Sequence, residues 1–271
     1  MGVSLSARRE RNPAAGIVIR RISPADLVAA LRDGFDDFRQ VPTQLAFICV
    51  IYPVVAILAA KLTAGYRVLP LFYPMATGFA LVGPVAALGM YEISRRRERN
   101  LPVSWRDAFA VLRSNSLPHI IQMALVLLVI FMLWMVVARS TYTALFDEDS
   151  MNSMSEMLYQ MVSGAGIALI VLGNFMGLLF AILTLSISVV SFPMILDRNV
   201  DVATAIRTSL AAMARNPATM LLWGLIVAVL LLLGGLLLFV GLAVVIPVLG
   251  HATWHLYRRL IEAPPIPVRR P

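Results

Sequence analysis

Long apolar runs, several of them preceded by a short amphipathic segment, set the pattern of this chain. Six such runs lie at about 43–61, 68–94, 117–138, 166–195, 217–234 and 236–257. Each reaches the roughly 18 residues that an α-helix needs to cross a bilayer. Because lipid offers no hydrogen-bond partner, a spanning backbone of this kind must be helical. The pattern therefore predicts an all-α, polytopic membrane protein with six transmembrane helices.

Amphipathic helices are predicted to precede the first, third and fifth runs. The segment 23–26 carries serine as N-cap, proline at the first helical position and an acid at the third, which is a usual helix start. Large apolar side chains follow at helical spacing: Val28, Leu31, Phe35 and Phe38. Such a helix is typical of one that lies in the membrane interface. We call these three predicted segments lid helices.

A unit of lid helix, hairpin and proline-bearing exit helix recurs, at about 23–99, 100–199 and 200–262. The first and last copies share their polar and special residues: Asp26, Ala30, Arg32 and Pro42 correspond to Asp201, Ala205, Arg207 and Pro217, and Gly78, Pro84 and Tyr91 correspond to Gly241, Pro247 and Trp254. The middle copy is looser and carries an insertion at about 140–165. Since each copy starts and ends on the same side, the sequence predicts parallel hairpin repeats.

Positive charge indicates the orientation. All but three of the 23 Lys and Arg residues lie in the tails, the lid helices and the loops on the same side as the termini. The exceptions are Lys61, Arg67 and Arg139. By the positive-inside rule both termini are cytoplasmic. Residues 1–22 are predicted to be a flexible basic tail, 23–262 the membrane domain, and 263–271 a tail rich in proline and arginine.

Composition agrees with a membrane protein. The chain is 59% hydrophobic and 14% charged, whereas soluble domains carry about 25% charged residues. The net charge of +8 flanks the apolar runs and forms no soluble basic domain. It therefore predicts contact with the bilayer and its anionic lipid head groups, and no nucleic-acid partner.

The histidines are the candidate metal ligands: His119, His251 and His255. His251 and His255 lie one helical turn apart, so a two-point metal contact is geometrically open, with His119 as a third ligand from another helix. The alternative is an interfacial pair of hydrogen-bonding histidines beside an aromatic belt of Trp254 and Tyr257. We favour the alternative, and expect no bound metal or cofactor.

Two further polar residues are functional candidates. Glu92 lies within the second run, where an ionisable group points to function. Its alternative role is a local ion pair with Arg95 or Arg96. Asn174, in the fourth run, either lines a hydrophilic path or bonds to neighbouring helices and its own backbone. No catalytic motif is present, so the sequence predicts no enzyme and no catalytic residue.

Three motifs resemble a known family: Gly-His-Ala-Thr-Trp-His-Leu-Tyr-Arg at 250–258, Asn-Pro at 216–217 with Trp-Gly at 223–224, and Ser-Phe-Pro-Met-Ile-Leu-Asp-Arg at 191–198. Over about 25–262 the chain resembles the bacterial integral-membrane family DUF2189, a domain of unknown function. The resemblance implies a multi-pass protein of the bacterial inner membrane and brings no established activity. Some members carry a cytochrome c oxidase subunit I label. Three histidines near the ends of two spans do not provide the ligands of haem and copper.

Two functions from different classes fit these observations. The first is a non-enzymatic scaffold or assembly factor that acts through lipid and protein contacts, with a membrane-protein partner or a second copy of the chain. The second is a small transporter or channel for an uncharged or lipid-like solute, using the face that carries Asn174. A charged solute would require ionisable groups deeper in the membrane.

Overall fold

The computed structural model describes residues 17–41, 74, 83–146, 162–236 and 240–262. The predicted span 43–61, most of the span 68–94, and large parts of both tails and of the outer insertion lie outside these described residues. The described part contains these helices: α1 (Pro24–Gln40), α2 (Gly83–Ala86), α3 (Leu88–Glu98), a 3₁₀ helix (Trp105–Arg113), α4 (Leu117–Leu145), α5 (Gly164–Ser188), α6 (Ser191–Arg198), α7 (Val202–Arg215), α8 (Pro217–Leu236) and α9 (Leu242–Leu260). The all-helical class is confirmed for this part of the chain.

Three helical segments are long and apolar enough to cross a membrane: α4, the continuous stretch Gly164–Arg198 that includes α5 and α6, and α8. They coincide with the predicted third, fourth and fifth runs. The helix α9 covers most of the sixth run. Its two histidines and the arginine pair in its last turn make it less apolar than the other three. Three candidate membrane-spanning helices thus agree with the predicted runs, and the number six stays a prediction.

Two of the helix starts follow the predicted capping pattern. The backbone N–H of Ser23 donates to Oδ2 of Asp26 at 2.8 Å, and the backbone N–H of Ser104 donates to Oδ2 of Asp107 at 2.7 Å. In both cases the serine side chain also accepts from the backbone N–H of the aspartate, which completes a capping box. The helix after Ser104 is a 3₁₀ helix, whereas the sequence pattern was that of an α-helix.

The start of α7 uses its acid differently. Asp201 corresponds to Asp26 in the aligned sequence, but it is the N-cap residue itself, and its Oδ1 accepts from the backbone N–H of Thr204 at 2.9 Å. Asp26 instead lies at the third helical position. Both carboxylates bind backbone N–H groups that a helix start leaves without partners. The aligned aspartates therefore share their chemistry and differ in their place in the helix.

The lid layer, which we define as α1, the 3₁₀ helix and α7, packs on the ends of the other helices. The helix α1 packs mainly on α9, the 3₁₀ helix on α3, and α7 on α5 and α6. Small residues allow the close approach. A Cβ added to Gly34 would lie 2.5 Å from the backbone nitrogen of Ala252, and one added to Gly89 would lie 2.8 Å from Cβ of Ala108. In α7 the hydroxyl of Ser209 donates directly to a backbone carbonyl of α5.

Most of the packed interior lies beneath the lid layer. Its largest fully buried side chains include Phe192, Trp223, Trp254 and Tyr257. A smaller cluster around Trp134 joins α4 to α5. Elsewhere the long helices leave large apolar side chains uncovered, such as Val129 on α4 and Leu232 on α8, which are 66% and 65% exposed. Such surfaces are compatible with lipid, which is as apolar as they are.

Candidate functional site

Asp37 lies at the centre of a buried polar cluster between α1, α3 and α9. Its side chain is 8% exposed, because α1 and α9 approach closely at Gly34. The ring nitrogen Nε2 of His255 lies 2.9 Å from Oδ2 of Asp37. The hydroxyl of Ser94 donates to the same Oδ2, and the guanidinium of Arg97 donates to Oδ1. These four residues and His251 form what we call the Asp37 cluster.

The hydrogen-bond geometry assigns a proton to His251. Oγ of Ser94 lies 2.8 Å from Nδ1 of His251, and the single hydroxyl hydrogen of Ser94 points to Asp37. The serine oxygen therefore accepts at His251, so Nδ1 carries the hydrogen and donates. His255 likewise donates its Nε2–H to Asp37. One carboxylate thus organises both histidines, directly at His255 and through a serine at His251.

The Asp37 cluster contains Ser, His and Asp but is not a catalytic triad. In a triad the carboxylate binds the imidazole nitrogen opposite to the one that faces the serine. Here Ser94 contacts both Nδ1 of His251 and Asp37, and Nδ1 lies 3.9 Å from Oδ2 of Asp37. Ser94 and His251 are also completely buried, at 0% exposure. The hydroxyl is consequently shielded from any substrate.

Asp37 is held in its ionised form. Burial by itself would raise the pKa of this carboxyl, but the hydrogen bonds from His255 and Ser94 outweigh burial and hold the pKa below its ordinary value. Arg97 neutralises the charge on the opposite oxygen. Both carboxylate oxygens therefore accept hydrogen bonds, and the charge is paired, which offsets the cost of burying it.

The histidines that the sequence singled out have different surroundings. His251 and His255 lie in the Asp37 cluster and make hydrogen bonds. This agrees with one part of the favoured alternative, but His251 is buried and not interfacial. His119 lies at the start of α4, outside the cluster, with Nδ1 3.5 Å from Oε1 of Gln122. Within the described ranges, no group of three or more His, Cys, Asp or Glu side chains is arranged to hold a metal ion.

The predicted aromatic belt of Trp254 and Tyr257 is wrong. Both side chains are buried, at 1% and 0% exposure. Tyr257 donates its hydroxyl to Oδ2 of Asp197 at 2.9 Å, and Trp254 donates Nε1–H to Oε2 of Glu98 at 3.2 Å. Arg258 bridges the same two carboxylates. These contacts bind the ends of α3, α6 and α9 together and keep the aromatic rings inside.

Glu92 forms the local ion pair that the sequence offered as an alternative. Its Oε2 lies 2.5 Å from Nη2 of Arg95 on the next turn of α3. The carboxylate is buried, with 6% of the side chain exposed, and it lies outside the Asp37 cluster. Arg95 also donates to the backbone carbonyl of Leu196 at 2.9 Å, which attaches α3 to α6. The ion pair itself lies within α3, and Arg95 alone makes the contact with α6 described here.

Two polar side chains of α5, Asn174 and Ser186, bond to the backbone of their own helix. Asn174 is exposed, and its Nδ2 donates to the carbonyl of Ile170 at 2.8 Å. Ser186 is buried and donates to the carbonyl of Ile182 at 2.6 Å. Such back-bonding satisfies a hydroxyl or amide inside an apolar environment. The hydrophilic path along this helix stays a hypothesis.

Asp37 lies on a face of α1 that differs from the predicted apolar face. The predicted apolar face was Val28, Leu31, Phe35 and Phe38. The structure instead buries Leu27, Ala30, Gly34, Asp37 and Phe38, and leaves Val28 66% and Phe35 46% exposed. The available signal was the spacing of 27, 30, 34 and 37, which puts an acid in line with small and apolar residues. An acid on such a stripe requires a partner from another helix.

Comparison with known proteins places part of this architecture in a family. Residues 72–197 match the family model described as predicted integral membrane protein (DUF2189). No curated protein and no solved structure matches the chain. Ser94 and Arg97 of the Asp37 cluster lie inside the matched range, whereas Asp37, His251 and His255 lie outside it. The match confirms the resemblance over residues 72–197, with the description predicted integral membrane protein; of the three sequence motifs, the one at 191–198 overlaps this range.

Proposed function

Starting from the match of residues 72–197 to a predicted integral membrane protein, we propose that the chain is a non-enzymatic scaffold or assembly factor of the bacterial inner membrane. In this proposal six spans form three parallel hairpin repeats, and both termini lie in the cytoplasm. The protein acts through its lid layer, by contacts with lipid head groups and with a membrane-protein partner or a second copy of the chain.

One observation carries the proposal: two aspartates with little exposure, Asp37 and Asp197, hold described helices together. Asp37 connects α1 with α3 and α9. Asp197 connects α6 with α9 through Tyr257. In a protein that binds a substrate, some buried polar groups converge on a cavity. These two carboxylates instead meet side chains of other helices, which favours a role in assembly over a reaction.

The ends of the described chain strengthen this layer. Ile19 and Ile261 pair as an isolated antiparallel bridge. Asn216 holds the leader, residues 17–22, by two hydrogen bonds. Its Oδ1 accepts from the backbone N–H of Ile22 at 2.9 Å, and its Nδ2 donates to the carbonyl of Arg20 at 3.0 Å. Residues 19–22 are thereby attached to the junction of α7 and α8 and to the residue that follows α9.

The packing of the lid layer supports the repeat arrangement. The 3₁₀ helix packs on α3, and α7 packs on α5 and α6, which in each case is the exit helix immediately before it in the chain. The first lid helix, α1, packs on α9, the last exit helix. Three hairpins around a shared centre would give this cyclic order.

Cross-linking in native membranes tests the proposal. A photoreactive residue in place of Leu210, which is 43% exposed on α7, is expected to give a discrete protein adduct. The matched control is the same residue in place of Leu232 on the apolar surface of α8, which should give lipid adducts only. If the residue at position 210 gives no protein adduct and proteoliposomes take up an uncharged solute, the scaffold hypothesis is wrong and the transporter hypothesis is favoured.

A further inference from the structure

The 3₁₀ helix carries an uncovered aromatic face. Trp105, Phe109 and Leu112 are 50%, 58% and 63% exposed. The rings of Trp105 and Phe109 meet edge to face, with centroids 6.4 Å apart. The opposite side of the helix packs on α3, where Val111 is buried. The helix is therefore fixed to the protein on one side and presents large apolar groups on the other.

Two arginines flank this face and give it a positive charge. Both Arg106 and Arg113 are exposed. The guanidinium carbon of Arg106 lies 5.6 Å from the ring centroid of Trp105, a cation–π distance. The acid of this helix, Asp107, is paired with Arg96 on α3 at 2.8 Å. We call the five residues Trp105, Arg106, Phe109, Leu112 and Arg113 the 3₁₀ face.

The 3₁₀ face lies next to the place where α4 begins. Arg113 ends the 3₁₀ helix, and Leu117 starts α4, one of the segments able to cross a membrane. Four residues span at most about 14 Å. The 3₁₀ face therefore lies close to the level at which α4 enters the bilayer, where the apolar interior gives way to head groups.

We propose that the 3₁₀ face is seated in the bilayer interface and selects anionic phospholipids. Its arginines bind head-group phosphates, which match a guanidinium in charge and geometry. Its apolar side chains rest at the boundary between head groups and acyl chains, a preferred position for tryptophan. The inference rests on the proposed function and deepens it, by naming the lipid class and the residues that recognise it.

The first lid helix repeats the combination of exposed arginine and exposed apolar side chain. On α1, the exposed Arg32 lies one turn from Val28 and one turn from Phe35, which are 66% and 46% exposed. Helical residues three and four apart are neighbours on one face. The same chemistry thus occurs on a second helix of the lid layer.

Trp105 reports directly on the proposed contact. The other tryptophans, Trp134, Trp223 and Trp254, are buried, at 4%, 1% and 1% exposure. The protein is reconstituted in vesicles of phosphatidylglycerol and phosphatidylcholine in which one lipid or the other carries bromine atoms on its acyl chains. The signal of the Trp105→Phe variant is subtracted. The measured quantity is the ratio of the two quenching constants, so each variant serves as its own reference.

We expect brominated phosphatidylglycerol to quench Trp105 more strongly than brominated phosphatidylcholine at equal mole fraction. A basic residue near an anionic surface contributes about 1 kcal/mol, which corresponds to a preference of about fivefold per arginine. The double variant Arg106→Gln with Arg113→Gln should bring the ratio close to one. High salt should reduce the wild-type ratio in the same direction.

The control variant is Arg99→Gln, which removes an arginine that is 53% exposed but already paired with Asp197 at 3.5 Å. Its quenching ratio should equal that of the wild type. Equal quenching by both lipids in the wild type would overturn the selection of anionic lipid. Protection of Trp105 from both lipids would overturn the seating and indicate that protein covers the 3₁₀ face. Neither result affects the adduct at Leu210, so failure of this inference and of the proposed function are distinguishable.

Discussion

Oδ2 of Asp37 lies 2.9 Å from Nε2 of His255, although the two residues are 218 positions apart in the chain. The contact joins the first described helix to the last one. It also brings together an acid that the sequence pattern did not single out and a histidine that it did. The hydrogen bonds of the Asp37 cluster consequently attach α1 to α3 and α9.

Replacing Asp37 by asparagine should weaken the attachment of α1 to α3 and α9. The substitution leaves Arg97 without its carboxylate and removes the charged acceptor of His255. Loss of one partner from a buried ion pair costs about 3 kcal/mol. We expect a lower midpoint of thermal and SDS-induced unfolding in detergent micelles. The control is Asp36→Asn on the exposed side of the same helix, and a midpoint equal in both variants would contradict the role of Asp37.

The Asp37 contribution should depend on pH in a defined direction. The folded-state pKa of Asp37 is lowered, and the unfolded value is about 3.9. The stabilisation is therefore fully present above about pH 4 to 5 and is lost as the pH falls below the unfolded value through the folded pKa. The measurement is the difference in unfolding midpoint between wild type and Asp37→Asn from pH 7 to pH 3. A difference that disappears between pH 7 and pH 5 would assign the effect to a histidine instead.

Gly34→Ala tests the close approach of α1 and α9. The new Cβ would lie 2.5 Å from the backbone nitrogen of Ala252, so the two helices must separate. Such overpacking costs about 1–3 kcal/mol. The matched control is Gly173→Ala on α5, where an added Cβ meets nothing within 4 Å. The unfolding midpoint should fall in the first variant only, and a tolerated Gly34→Ala would show that α1 docks differently.

Asn216→Ala should release the leader at residues 17–22 from the lid layer. The variant removes two hydrogen bonds to backbone groups of that leader, each worth about 1 kcal/mol. Hydrogen–deuterium exchange should become faster at the amide of Ile22, while amides of α4 keep their protection. Asn115→Ala, in the exposed turn before α4, is the control and should change neither. Unchanged exchange at Ile22 would mean that Asn216 does not hold the leader.

Local sequence patterns determined the features that depend on neighbouring residues alone. The lengths of the apolar runs predicted α4, the stretch that includes α5 and α6, and α8. Length and apolarity are properties of the local sequence, and they decide whether a helix is able to cross a bilayer. The Ser23–Asp26 and Ser104–Asp107 pairs predicted two helix starts, because capping bonds reach only three residues along the chain. The ion pair of Glu92 with Arg95 is local for the same reason.

The tertiary structure decided which face of a helix is buried and what a buried polar group meets. The sequence of α1 allows an apolar stripe through Val28 and Phe35, and the docking on α9 selected the stripe through Gly34 and Asp37 instead. Small residues made the close approach possible, and a partner from α9 made the buried carboxylate stable. Trp254 lies in the interior and not in an interfacial belt, and Glu98 of α3 accepts its indole N–H there. Periodicity is a property of one helix, whereas the burial of a charge or an indole is decided by the helix it meets.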